Sequence, residues 1–165
     1  MRIAVNTRLL LKGRLEGIGW FTYEVLKRLV TSHPEHEFIF IFDRKFDESF
    51  IFGDNVKPVV IAPQSRHPFL WFTWFEYSIP YVLKKYKADV FLSTDGDLSL
   101  SANCPSCLVL HDLNFEYFPH TVPWLVLKYY RHYTPKFAYK AQRIITVSNF
   151  SKQDILQCYG IDPAK

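Results

Sequence analysis

Four stretches of the chain carry side chains whose chemistry goes beyond packing. The first is residues 12–20, KGRLEGIGW, with Gly13, Gly17 and Gly19 bridging an apolar start, MRIAV, and a helical run, FTYEVLKRLV. Backbone N–H groups at such a helix start attract phosphate or carboxylate, because the helix dipole places partial positive charge there. The same glycines also suit a plain flexible turn. Thr22 stands where a G-x-G-x-x-G fingerprint needs its last glycine, and no Gly-Lys-Ser/Thr follows, so neither nucleotide-binding motif is present. The second stretch is HDLN, where His111 can hydrogen-bond a ligand hydroxyl or carry a proton and Asp112 stands beside it. The bland alternative is a histidine bonded to a backbone carbonyl and an aspartate closing a turn. The third, STDGD, offers Asp95 and Asp97 as an acid–base pair or Mg²⁺ ligands. Asp-Gly is also a strong turn signal, and the turn is the preferred reading. The fourth, TVSNFS, puts Ser148 at the mouth of a helix.

These residues need a frame. Apolar runs of strand length recur at 2–6, 37–42, 57–61, 89–93, 107–111 and 143–147. They are nearly continuous in Val, Ile, Leu and Phe, the pattern of strands buried on both faces of a parallel sheet. Helical patterns separate most of them. GWFTYEVLKRLVTS repeats apolar residues at three-to-four spacing. The run 69–86 is interrupted by Pro80, which predicts a kink or split. The run 123–142 has Pro123 at its start and Pro135 placed to bend it. In the last helix Ser148 is the expected N-cap and Gly160 the expected stop. Residues 43–56 read as a loop, and no linker divides the chain, so residues 1–165 form one domain. Alternating strands and helices predict a Rossmann-like, doubly wound α/β fold with a mainly parallel sheet and helices on both faces. Ligands bind such sheets beyond the carboxyl ends of the strands, where all four stretches fall.

Composition narrows the classes. The chain is 48% hydrophobic and 18% aromatic, enough to bury a core and exclude disorder. Its net charge of +4 is scattered, without the dense basic blocks of nucleic-acid tails, so no nucleic-acid partner is expected. Short apolar runs at the N-terminus are broken by Asn6, Arg8 and Lys12, which gives no signal peptide or spanning helix and a cytoplasmic expectation. Cys104 and Cys107 form CPSC, read as a loop with incidental thiols because no second ligand pair completes a zinc site. Aromatic and basic residues interleave at 69–86 and 115–140, which raises peripheral membrane contact as a possibility beside core packing.

Taken in order, NTRLLLKGRLEGIGWFTYEVLKRL, LVLHDLNFEYFP and RIITVSNFSKQDILQCYGIDPAK resemble the N-terminal half of family-4 glycosyltransferases of the GT-B fold. The resemblance covers essentially the whole chain and is most specific in its last run. It implies a retaining transferase that moves a sugar from a nucleotide-sugar donor to a glycan or lipid-linked acceptor, in a cleft between two Rossmann-like domains. This domain would chiefly hold the acceptor. Gly17, Ile18 and Gly19 would approach the donor's phosphates and His111 would face the transferred sugar, as the catalytic residue. Arg8 and Arg14 would line the same mouth, with Asp95, Asp112 and Ser148 around it. Asn6 stands where many relatives have an acid. No metal or cofactor is expected. The donor-binding domain with its E-x7-E motif would follow residue 165, so this chain alone is expected to transfer no sugar. The alternative is a stand-alone Rossmann-like module binding an anionic small molecule.

Overall fold

The computed structural model describes all 165 residues. Six strands, β1 (Arg2–Asn6), β2 (Glu37–Phe42), β3 (Val56–Val60), β4 (Val90–Ser93), β5 (Ser106–Val109) and β6 (Arg143–Ile145), form one sheet in the order β3-β2-β1-β4-β5-β6. Every pairing is parallel. The central strands alternate between two cores, as a pleat of period two requires. Ala4, Ile39, Ile41 and Phe91 face one core; Val5, Phe38, Phe40 and Leu92 face the other.

Helix α1 (Gly17–Ser32) packs Leu26 and Val30 against the second core. The first core is covered by α2 (Pro68–Thr73), α3 (Ile79–Tyr86) and, after the short α4 (Asn114–Tyr117), by α5 (Trp124–Lys140). A smaller core, with Leu110, Leu113, Phe115 and Ala138, holds α6 (Asn149–Tyr159) through Ile155 and Tyr159. The sheet is therefore doubly wound, as the alternation of periods predicts.

Local chemistry explains the details. Ser148 caps α6, its Oγ accepting the Ser151 N–H at 3.0 Å, and Gly160 ends that helix at φ +60°, a conformation without penalty for glycine. α5 begins directly after Pro123 and runs through Pro135. The run 69–86 is interrupted as predicted, but just ahead of Pro80 and without a break in the helix. The helix instead widens into one π-turn, Trp74–Ser78, and Pro80 falls in the first turn of α3. Proline has no N–H for the carbonyl four residues back, and the freed Glu76 carbonyl accepts the Ser101 hydroxyl at 3.1 Å. The strands at the sheet edges also differ from expectation. β3 and β6 are largely open to solvent, with Lys57 and Pro58 in one and a half-exposed Ile145 in the other. An edge strand lacks a neighbour, so its apolar run does not mean burial on both faces.

Candidate active site at the carboxyl edge of the sheet

The winding reverses between β1 and β4, so a crevice opens outside their carboxyl ends. Each strand hands its last polar residues to that point. Asn6 at the end of β1 is buried, donates from Nδ2 to Ser93 Oγ at 3.2 Å and accepts the Arg8 N–H. Its role is to join β1 to β4.

Arg8 does not line an open mouth, contrary to the expectation from resemblance. Its side chain is 5% exposed and donates from Nε to Asp95 and from Nη2 to Asp97, each at 2.5 Å. The guanidinium packs over Phe75 and Trp71, 5.0 and 5.6 Å from the ring centroids, and its Nη1 is buried without a partner. A planar fork matches carboxylates on two sides, which explains arginine rather than lysine here. The Asp-Gly turn is real: Gly96 has φ +87° and swings both acids onto the one cation. Each carboxylate is paired with that cation through one oxygen. Burial pushes Asp97 up to about 7, with Asp95's charge adding to the rise, against the pull of Arg8.

His111 lies two residues beyond the ladder of β5, which ends earlier than the apolar run implied. Its Nε2 is 2.9 Å from the Thr94 carbonyl, and its ring meets Phe21 edge-on at 4.9 Å. A carbonyl only accepts, so Nε2 carries a proton and Nδ1 is the nitrogen left for another partner. Thr94 in turn takes the Thr22 hydroxyl at 2.8 Å, which fastens α1 to the same loop. The bland reading of His111 is thus half right: one nitrogen serves the fold and the other remains available. A cavity of about 130 Å³ joins Ile18, Asp95, His111 and Asp112, with Tyr130 and Thr134 behind them. Asp112 is exposed and one of its oxygens accepts the Asn114 N–H at 2.9 Å, starting α4.

The start of α1 reaches this cavity through Ile18. Its N-cap residue, Glu16, makes no side-chain cap bond, and no acid lies in the first turn. The N–H groups of Gly17, Ile18 and Gly19 are therefore left for solvent or a ligand. The three glycines now separate. Gly13 adopts φ +72°, which the loop requires. A Cβ on Gly19 would meet the Leu9 carbonyl at 3.1 Å and Leu15 Cδ2 at 3.2 Å, so close packing explains it. A Cβ on Gly17 would meet nothing within 4 Å, leaving open space in front of the helix N-terminus.

Two expected residues stand apart. Arg14 is exposed in a separate hollow with Gly13, Leu15 and Trp20. Ser148 lines another hollow, of about 580 Å³, beside the open edge of β6 with Thr146, Lys152 and Ile161. Outside the crevice, Cys104 and Cys107 are free and half-buried, and burial raises both thiols above their ordinary range. His33, Glu35 and His36 cluster in the turn between α1 and β2, at the opposite edge of the sheet. His36 Nδ1 is buried without the acceptor that a metal-bound imidazole normally has behind it. Sequence reading missed Thr22, Thr94 and Tyr130; only the paired threonine hydroxyls had a signal, namely polar residues at strand and helix ends facing the switch point.

A crevice at a switch point, an uncapped helix N-terminus and an oriented histidine define an α/β domain with a polar cleft where ligands of such sheets bind. The family model Glycosyltransferase Family 4 matches residues 15–165, and the chain belongs to that family. The fold is also that of a solved glycosyltransferase from Rickettsia africae ESF-5, with a TM-score of 0.59, 18% identity, and coverage of 99% of this chain and 41% of that one. A second solved structure, E. coli heptosyltransferase WaaC with ADP, aligns with a TM-score of 0.48 and 11% identity over 99% of this chain and 48% of its own. The chain thus spans less than half the length of these two solved proteins. No curated protein matches the sequence.

Proposed function

We propose that this chain is the N-terminal, acceptor-side domain of a glycosyltransferase that moves a sugar from a nucleotide-sugar donor to a glycan or lipid-linked acceptor with retention. A C-terminal domain would bind the donor's nucleoside, and without it the 165-residue domain would transfer nothing. The observation that carries the reading is the convergence of the uncapped α1 N-terminus and His111 on one cavity through Ile18. As the bond from the sugar to the diphosphate breaks, negative charge grows on the leaving phosphate. Preoriented N–H groups at Gly17, Ile18 and Gly19 are suited to receive that charge without a metal, cofactor or rearrangement. The open space before Gly17 lets a phosphate approach.

His111 serves as the sugar-orienting group in this reading. With Nε2–H held by the Thr94 carbonyl, Nδ1 accepts a hydrogen bond from a sugar hydroxyl. In this reading the ring is a positioning partner and not a nucleophile. The test is His111→Ala in the protein that carries both domains. Turnover of a nucleotide sugar is expected to fall about 10- to 100-fold, the loss of a hydrogen bond worth roughly 1.5–3 kcal/mol in the transition state. Unchanged turnover would remove His111 from the site. The same N-terminus would serve a non-catalytic module for an anionic small molecule; absence of any transfer in the two-domain protein, with pyrophosphate still bound, would favour that alternative.

A further inference from the structure

We propose that the groove between α2 and α5 docks this domain on an anionic membrane surface. The helices follow β3 and β5, and α5 also lends Tyr130 and Thr134 to the crevice. Between them Phe69, Phe72, Leu125, Tyr129 and Tyr133 wall a groove of about 410 Å³, rimmed by His67, Lys128 and His132. Phe69 is 70% exposed and Trp124, at the first turn of α5, is 67% exposed. Phe69 lines the groove and Trp124 stands beside it under Lys128, and exposed apolar area gathered in one place marks a contact surface.

Charge selects the occupant. α5 carries Lys128, Arg131, Lys136 and Lys140 and no acid. From residue 64 to 86 the sole acid is Glu76, whose carboxylate accepts the Leu100 and Ser101 N–H groups at 2.7 and 3.0 Å. Arg131 is paired with Glu116, but Lys128 lies over Trp124 at 4.6 Å and Lys136 over Tyr133 at 5.5 Å, with no carboxylate partner for either. The face therefore joins uncompensated positive charge to rings that have an apolar body and a polar edge. Lipid headgroups offer phosphate to the lysines, and the acyl boundary beneath them takes the rings. No helix is long and apolar enough to cross a membrane, so the contact would be interfacial.

The test is co-sedimentation of the 165-residue chain with vesicles of phosphatidylcholine alone or with phosphatidylglycerol added, read also by tryptophan fluorescence, with Trp124→Ser identifying the share of Trp124 among the four tryptophans. Binding to the anionic vesicles, with a blue shift, is expected, and weak binding to the neutral ones. The pairs Lys128→Glu/Lys136→Glu and Phe69→Ser/Trp124→Ser should each weaken it about tenfold or more, while far-UV circular dichroism and the unfolding midpoint stay unchanged. Lys27→Glu/Arg28→Glu, on α1 across the sheet, should leave binding intact. The proposal fails if anionic vesicles are not bound, if the α1 pair weakens binding as much as the α5 pair, or if the serine pair has no effect. Equal retention on single-stranded RNA, lost with the same variants, would also overturn it.

Discussion

Two buried aspartates end neighbouring parts of the same sheet edge, and burial acts on them with opposite results. Asp43, after β2, receives four hydrogen bonds: from Arg44 Nε and Nη2 at 2.6 and 2.7 Å, and from the Ser65 N–H and hydroxyl at 2.8 and 2.9 Å. Burial pushes its carboxyl up, but these donors outweigh burial and hold it below the ordinary range. Asp97, after β4, leans on an Arg8 that it shares with Asp95, with the Tyr129 hydroxyl as a lesser donor. There burial prevails and the carboxyl rises to about 7. Four donors outweigh burial at Asp43, while at Asp97 burial and the neighbouring charge of Asp95 outweigh the pull of Arg8. Two acids on one cation leave a surplus negative charge, or a retained proton, behind the His111 cavity.

The largest test of this contrast removes the shared cation. Arg8→Met keeps most of the volume against Phe75 and Trp71 but leaves two buried carboxylates facing each other. Urea unfolding is expected to show a loss of about 3–5 kcal/mol, the usual cost of breaking a buried ion pair from one side. Adding Asp95→Asn and Asp97→Asn should restore much of it. A loss confined to a few tenths of a kcal/mol would mean that the cluster is hydrated and its charges screened.

Asp43→Ala should cost less, about 1–3 kcal/mol. It orphans the buried Ser65 N–H, whereas Arg44, with a side chain 23% exposed, can turn toward water. Parallel urea titrations of the two variants rank the clusters. A cost for Asp43→Ala above that of Arg8→Met would reverse the contrast, making donor-rich coordination the more fragile arrangement.

The same contrast shows what was legible in the sequence. The strands could be read because buried parallel strands are written as apolar runs, and Ser148 and Gly160 because capping chemistry is local. The turn at Gly96 was read for the same reason. The knot it serves was not, since Arg8 lies 87 and 89 residues from its partners and meets them only through the pairing of β1 with β4. The burial of Arg8 follows from that encounter, which no local window contains. His111 was placed from its position after a strand, but its partner is a backbone carbonyl, which every residue offers and no sequence marks. The edge strands misled because exposure there depends on strand order. The π-turn itself was not legible, because Pro80 announces a lost hydrogen bond without saying that Ser101 would replace it.

The smallest effect is the most specific one. Asp97 holds its proton to about pH 7 in the folded chain, but only to about pH 4 in an unfolded one. Between those values the native state binds more protons than the unfolded state, so the unfolding free energy from this group falls as pH rises. Its stabilising contribution is complete below about pH 4 and is lost as pH climbs through about 7. Asp43 has the opposite sign: its contribution is present above the unfolded value and is lost as acid protonates the folded carboxyl, at a pH below that of ordinary aspartate. Asp97→Asn keeps a carbonyl acceptor for Arg8 and removes the titration. Its stability should lie within about 1 kcal/mol of the parent near pH 5, where the parent's Asp97 is also neutral. From pH 5 to 8 the variant's curve should slope downward less than the parent's, measured by urea unfolding at fixed ionic strength. If the two curves run parallel across that window, Asp97 does not titrate between pH 5 and 8, and its carboxyl is not held near 7 by burial.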